Sequence, residues 1–249
     1  MEWFEDETFW RELYPYMFPP ERFSAAPSQV DQVLLLAHSN GGTVLDLCCG
    51  PGRHAVEFAR RGFSVTGVDR SAFLLERARE RAAESGVTVE WVLEDMRRFE
   101  RASAFNLVCS LFTSFGYFER EEEDLEVLRH VHQSLKPGGV LVLEMLGKER
   151  LARVYQNAVC TEFPDGALLL QRHDVRSDWS RIRNEWMLLK DGRYRSFHFE
   201  HTIYSGRELK ERLLASGFPD VQLFGDLGGA PFVVDSARLV AVARKAPQP

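Results

Sequence analysis

The sequence predicts a doubly wound α/β fold, and three features carry that prediction. Strand-length apolar runs alternate with amphipathic helical stretches from Thr43 to Leu146. A glycine turn, Gly50-Pro51-Gly52, joins the first of those strands to the helix after it. An acid, Asp69, closes the second strand nineteen residues beyond Gly50.

The elements follow in chain order. The first thirty residues are dense in aromatics, and Phe9, Trp10 and Leu13 have helical spacing, with Pro19-Pro20 as the stop. This stretch, residues 1–28, is expected to form an aromatic arm or lid, with Tyr14 and Phe18 as candidates to line an acceptor pocket. Gln29 to Ser39 reads as a helix on its Val30, Val33, Leu34 and Ala37 stripe. Val44-Leu45-Asp46-Leu47 is the first strand, His54 to Arg61 a short helix and Ser64 to Val68 the second strand. Ser71 is placed to cap a helix that Gly86 ends. The third strand, Val87 to Val92, leads to Asp95, and the fourth, Phe105 to Ser110, runs into a polar and aromatic loop. An acidic helix from Glu119 and a fifth strand, Val140 to Leu146, complete this half.

The chemistry of the glycine turn is that bare backbone can meet a ligand there. Asp69, at the tip of the next strand, is placed to accept hydroxyl hydrogen bonds from a ribose. Both properties suit a dinucleotide as well, but Asp46, four residues before Gly50, would repel a pyrophosphate over the turn. Ala55 stands where a third glycine would fall, and Asp95 is placed to take an exocyclic amine of adenine.

This stretch resembles motif I of the class I S-adenosylmethionine-dependent methyltransferases, whose acid, three residues, glycine, one residue, glycine is met by Asp46, Gly50 and Gly52. The resemblance extends through Asp69, Asp95-Met96 and Leu135-Lys136-Pro137-Gly138-Gly139, from Thr43 to Glu144. It implies a seven-stranded Rossmann-like sheet in the order 3-2-1-4-5-7-6 and S-adenosylmethionine as methyl donor, with S-adenosylhomocysteine as product. It also implies a cofactor set of Asp46, Cys48, Gly50, Gly52, Asp69, Arg70, Asp95, Met96 and Leu111.

Composition narrows the partners. The chain has 249 residues and a formal charge of -6, which argues against broad affinity for nucleic acid or anionic membrane. Cys48, Cys49, Cys109 and Cys160 show neither disulfide nor zinc spacing, so no metal site is expected. No apolar run reaches membrane-spanning length, and a soluble, cytoplasmic protein is expected, as monomer or homodimer.

The loop after the fourth strand, Leu111 to Phe118, lies at the carboxyl end of the sheet, which puts Ser114, Phe115 and Tyr117 beside the donor. It has no DPPY or NPPY motif and resembles small-molecule methyltransferases, a group that includes sugar and glycine N-methyltransferases. Residues 159–204 carry strand signals at Ala167 to Val175, Arg181 to Lys190 and Tyr194 to Tyr204, with Asp191-Gly192 as a hairpin turn. They are expected to form an antiparallel insert of three or four strands over the acceptor side, within one domain spanning 1–249. An edge strand of that insert pairing with a second copy is the alternative role. Arg172, able to grip a carboxylate, and His201 are its acceptor candidates. Ser205 and Glu208 form a capping box, and a helix and two strands close the fold.

The expected reaction is in-line methyl transfer to a small-molecule acceptor, an amine nitrogen being favoured because no convincing His-Asp pair is legible. An O-methyltransferase, a non-catalytic donor-binding protein and an NAD-dependent oxidoreductase are the alternatives.

Overall fold

A computed structural model describes residues 2–248. A one-turn 3₁₀ helix (Trp3–Glu5) is followed by α1 (Glu7–Met17), α2 (Pro20–Ser24) and α3 (Ala26–Ala37). The Asp6 carboxylate accepts from the Thr8 amide at 2.9 Å and caps α1. The arm is therefore helical as expected, although α1 runs through Pro15 and only Phe18 and Pro19 separate it from α2. A proline here removes one amide from the helix ladder, and the tertiary packing described below holds the helix despite it.

Strands and helices then alternate: β1 (Thr43–Leu47), α4 (Arg53–Arg60), β2 (Ser64–Asp69), α5 (Ala72–Glu84), β3 (Glu90–Leu93), β4 (Phe105–Ser110), α6 (Glu121–Ser134) and β5 (Leu135–Met145). The third strand starts three residues later than expected. The fifth starts five earlier, because Leu135 pairs with Phe105 before a register shift carries the ladder on to Leu107 and Val140. After α7 (Lys148–Val154) come β6 (Ala158–Glu162), β7 (Leu168–Arg176), β8 (Arg181–Lys190) and β9 (Arg193–Thr202), then α8 (Gly206–Ala215), β10 (Asp220–Phe224) and β11 (Leu239–Arg244).

Seven strands make the main sheet in the order β3-β2-β1-β4-β5-β11-β10. The first five run parallel, and β11 lies antiparallel to both β5 and β10. This is the expected 3-2-1-4-5-7-6 topology. Its strands are apolar on both faces because helices cover both: Val33 of α3 and Phe58 of α4 belong to one core layer, Leu128 of α6 and Leu213 of α8 to the other. At the crevice where the strand order reverses, between β1 and β4, the loops of both strands open toward the ligand side.

The insert is a separate four-stranded antiparallel sheet, β6-β7-β8-β9. Asp191 and Gly192 are both left-handed (φ 50° and 70°), the geometry of a tight two-residue hairpin. Its inner face does not form a core alone. Phe9 and Leu13 of α1 are buried with Leu169, Leu188, Phe197 and Phe199 of the insert, and Trp3 packs on Phe199 at 4.8 Å. The arm is thus the other half of the insert's hydrophobic core. Among the described residues, no helix is long and apolar enough to cross a membrane.

Because Phe9 is 2% exposed and wedged between arm and insert, Phe9→Ala is expected to lower stability by about 3–5 kcal/mol. Thermal unfolding followed by amide exchange checks this: the Tm falls on the order of 10 °C, with protection lost first in β7 to β9.

Candidate active site

The floor of the site is the loop after β1, whose conformation only small or tolerant residues allow. Cys48, Gly50 and Gly52 all have left-handed backbones, at φ 60°, 55° and 72°. The loop is closed by Asp69, whose Oδ2 accepts the Gly50 amide at 2.8 Å while Oδ1 accepts the Ser71 amide at 2.9 Å. Gly52 plays a different part from the one expected. It does not border the cavity but lies over α5, where a Cβ would come 2.7 Å from Trp91 and 2.8 Å from Ala78. Its need for glycine is one of packing.

Above this floor lies a cavity of about 430 Å³, running from the ends of β1 to β3 to the inner face of the insert. Asp46, Cys48, Gly50, Asp69, Arg70, Asp95, Met96 and Leu111 border it on the sheet side. Phe18 borders it from the arm, Ser114 and Tyr117 from the loop after β4.

Two buried acids are set apart by their surroundings. Burial pushes Asp46 up to about 7, against the opposing pull of Arg53 and the Ala55 amide. Its Oδ2 has no partner among the described residues. Burial likewise raises Asp69, to about 6, although the Ser71 and Gly50 amides favour its charged form. Asp95 is also desolvated, but the Arg97 guanidinium that grips both its oxygens holds it below the usual range.

The loop after β4 is held by a residue that sequence patterning passes over. Phe112 and Thr113 are left-handed (φ 61° and 60°), a strained conformation for such side chains. The buried Glu144 carboxylate accepts the Phe112 amide at 2.5 Å, and the Glu144 carbonyl accepts the Thr113 amide at 3.1 Å. Arg238, arriving before β11, pairs with the same carboxylate.

Four expected acceptor residues lie elsewhere. Tyr14 turns away from the cavity to pack on Phe73 of α5 at 5.5 Å. Phe115 is buried in the main core against Tyr204. Arg172 sits on the outer face of the insert, exposed, with its guanidinium 3.5 Å from Glu185. His201 faces inward but beneath the wall, its ring tilted against Tyr117 at 4.8 Å and linked through Asn184 to His173. Burial lowers it to about 3 and so holds it neutral.

In their place the far side of the cavity is lined by Trp3, Trp10, Tyr16, Gln171 and Trp186, and Phe112 and His54 also border it. The parity of β7 decides this: Gln171 pairs with Trp186 on the inner face, so its neighbour Arg172 must point out. The indole nitrogens of Trp3 and Trp186 are buried without a partner among the described residues, and the Tyr117 hydroxyl, raised to about 12 by burial, stays protonated.

Comparison with known proteins agrees with this geometry. Residues 44–139 match a family model described as a methyltransferase domain. A protein named as a methyltransferase in Geobacillus sp. (strain WCH70) is 27% identical over 207 residues, 81% of this chain and 84% of its own. Residues 44–139 are thus a methyltransferase domain, and the findings together support a class I S-adenosylmethionine-dependent methyltransferase. The dTDP-3-amino-3,4,6-trideoxy-alpha-D-glucopyranose N,N-dimethyltransferase of Streptomyces venezuelae is similar over 129 residues, at 28% identity, covering 52% of this chain and 53% of that enzyme. A solved S-adenosylmethionine-dependent methyltransferase from Clostridium acetobutylicum ATCC 824 shares the fold, with a TM-score of 0.79 at 14% identity over 96% of this chain and 98% of that one.

S-adenosylmethionine is the cofactor of this methyltransferase, and the residues present fit it. The unpartnered Asp46 oxygen suits the donor's ammonium, the bare backbone at Gly50 its close approach, and Asp69 its ribose hydroxyls. When bound, the donor supplies an electrophilic methyl carbon.

Asp46 binds an ammonium only when ionised, so affinity for S-adenosylhomocysteine should fall as pH drops from 8 to 6, through the value of about 7 to which burial raises this group. Asp46→Asn should remove that dependence and weaken binding about tenfold or more, measured by isothermal titration. A carboxyl raised in the fold withdraws stability as pH rises through that value. The ligand-free Asn variant should therefore melt a few degrees above the parent at pH 8 and nearer to it at pH 5.

Proposed function

We propose that this methyltransferase alkylates an amine nitrogen on a small-molecule acceptor held between the donor site and the inner face of the insert. The observation that carries this reading is the chemistry of the acceptor wall. Aromatic side chains line it, and His54, which also borders the cavity, is a weakened proton acceptor. The carboxylates that border the cavity belong to its sheet side. His54 is held neutral, well below the usual histidine range, by burial and by the adjoining Arg53. Its Nε2 lies 2.9 Å from the Gln29 side-chain oxygen and donates to it.

An alcohol would need its proton removed as it attacks. A neutral amine brings its own lone pair, and after the N–C bond forms and the S–C bond breaks, the new ammonium releases its proton to water. The protein's part is alignment and exclusion of solvent. Trp3, Trp10 and Trp186 form a rigid wall, Tyr117 presents a hydroxyl, and the arm seals the roof. The Streptomyces venezuelae relative, named as an N,N-dimethyltransferase of a dTDP-amino sugar, supports the same class of acceptor.

Incubation with isotopically labelled donor and a panel of small amines and alcohols tests the reading. Label is expected on nitrogen, with kcat/KM rising with pH toward the acceptor's own amine pKa; label found only on oxygen would overturn it. Trp186→Ala is expected to raise acceptor KM about tenfold and leave the affinity for S-adenosylhomocysteine unchanged.

A further inference from the structure

The insert is rich in arginine, yet none of its arginine side chains borders the cavity. Strands β7 to β9 carry Arg172, Arg176, Arg181, Arg183, Arg193 and Arg195. Side chains alternate between the two faces of a strand, and the pairing fixes which of them share a face. Val159, Gln171, Trp186 and Phe197 lie side by side across β6 to β9 on the inner face, with Thr161, Leu169, Leu188 and Arg195 as the next row. Arg172, Arg176 and Arg183 have the opposite parity and meet Glu185 and Asp174 on the outer face. Arg195 has the inner parity but stands on the far edge strand, where it pairs with Glu12 of α1 at 3.1 Å.

What the insert presents to the cavity is Thr161, Phe163, Leu169, Gln171 and Trp186, all neutral. The cations that border the cavity come from other elements. Arg53 opens α4 and donates to the Arg22 carbonyl, while Arg70, after β2, pairs with Glu5 at 2.5 Å. The lining is thus charged where it meets the sheet and uncharged where it meets the insert. A phosphate or carboxylate laid against the insert would leave water with no cation to receive it, and a buried unpaired charge is costly. An apolar ring or chain gains there with each methylene taken out of water.

We infer that the acceptor meets the insert with an uncharged, apolar body. That body is a ring or hydrocarbon frame with one or two neutral hydrogen-bonding groups, for which the Gln171 amide and the Thr161 hydroxyl are the polar partners on this side. Such a lining selects the amines of hydrophobic metabolites and rejects amino acids and amines carried on a nucleoside diphosphate. The inference rests on the proposed transfer to an amine nitrogen and adds the remainder of the acceptor to it.

Isothermal titration into the chain saturated with S-adenosylhomocysteine reads this selectivity without requiring turnover. Along the n-alkylamines from butyl to octyl, Kd is expected to fall about threefold per methylene. Phenylalanine is expected to bind about tenfold or more weakly than 2-phenylethylamine, the same amine without the carboxylate. Gln171→Arg puts a cation on the inner face and should bring those two ligands to within about twofold of each other. Thr161→Arg, on the exposed strand β6, should act in the same direction from a position where the fold tolerates a long side chain. A flat alkylamine series overturns the inference, as does a parent chain that binds phenylalanine or a nucleoside-diphosphate amino sugar as tightly as 2-phenylethylamine. Labelled donor separates this failure from that of the amine reading. Efficient N-methylation of phenylalanine or of the nucleotide-linked amine keeps the amine reading and sinks the apolar body. Label on oxygen alone sinks the amine reading, and with it the inference as an inference about amines.

Discussion

The site depends on one closure, the Asp69 carboxylate on the Gly50 amide. That bond ties the loop after β1 to the tip of β2 and leaves backbone facing the ligand. The sheet beneath must be thin enough for the loop to lie flat. Gly67, in the middle of β2, supplies this: a Cβ there would meet the Trp91 ring at 2.5 Å and the Cys49 sulfur at 3.1 Å. Gly52 and Gly67 therefore make room for the same tryptophan from two sides, and the large indole fixes the loop height that a donor meets. The motif's spacing is the local expression of this packing around Trp91.

This explains which parts were legible. The main sheet, its order and the donor floor are encoded locally, in strands of a few residues and in turns that require glycine, and Asp46, Asp69 and Asp95 fall where that local grammar places them. The insert side of the cavity is encoded at long range. On β7 the difference between Gln171 and Arg172 is one step of strand parity, which depends on the pairing with β8 and not on residue chemistry. Arg172 had the more persuasive side chain and the wrong face. On α1 the choice between Tyr14 and the cavity-lining Tyr16 and Met17 depends on which side α5 approaches, information absent from the arm itself. Glu144 was hidden for a related reason: an acid within an apolar strand is unexplained until Arg238, ninety-four residues later, is folded against it.

The arm joins the two kinds of encoding. Its first residues bind the donor side: Glu7 accepts from the Ser71 hydroxyl and from the Ala72 and Phe73 amides, placing a negative charge at the N-terminus of α5, and Glu5 pairs with Arg70 at 2.5 Å. Its apolar face completes the insert core through Phe9 and Leu13. The arm carries buried side chains, so the order of the insert's inner face and the order of the sheet-side pocket are set by the same eleven-residue helix.

Charge in the site is arranged against the stability of the fold. Asp46 and Arg53 are both desolvated, and each is pushed toward neutrality, although a direct bond between them would have relieved both. Keeping them apart leaves both charges without that relief. The neighbouring cation Arg238 is neutralised by Glu144, whose carboxylate also holds the Phe112 amide. One buried acid thus spends its charge on the loop that supports Phe112, and Phe112 in turn supports the Arg53 fork. The left-handed backbone at Phe112 and Thr113 lies on the same path, since the loop that Glu144 holds is the one on which the Arg53 guanidinium rests.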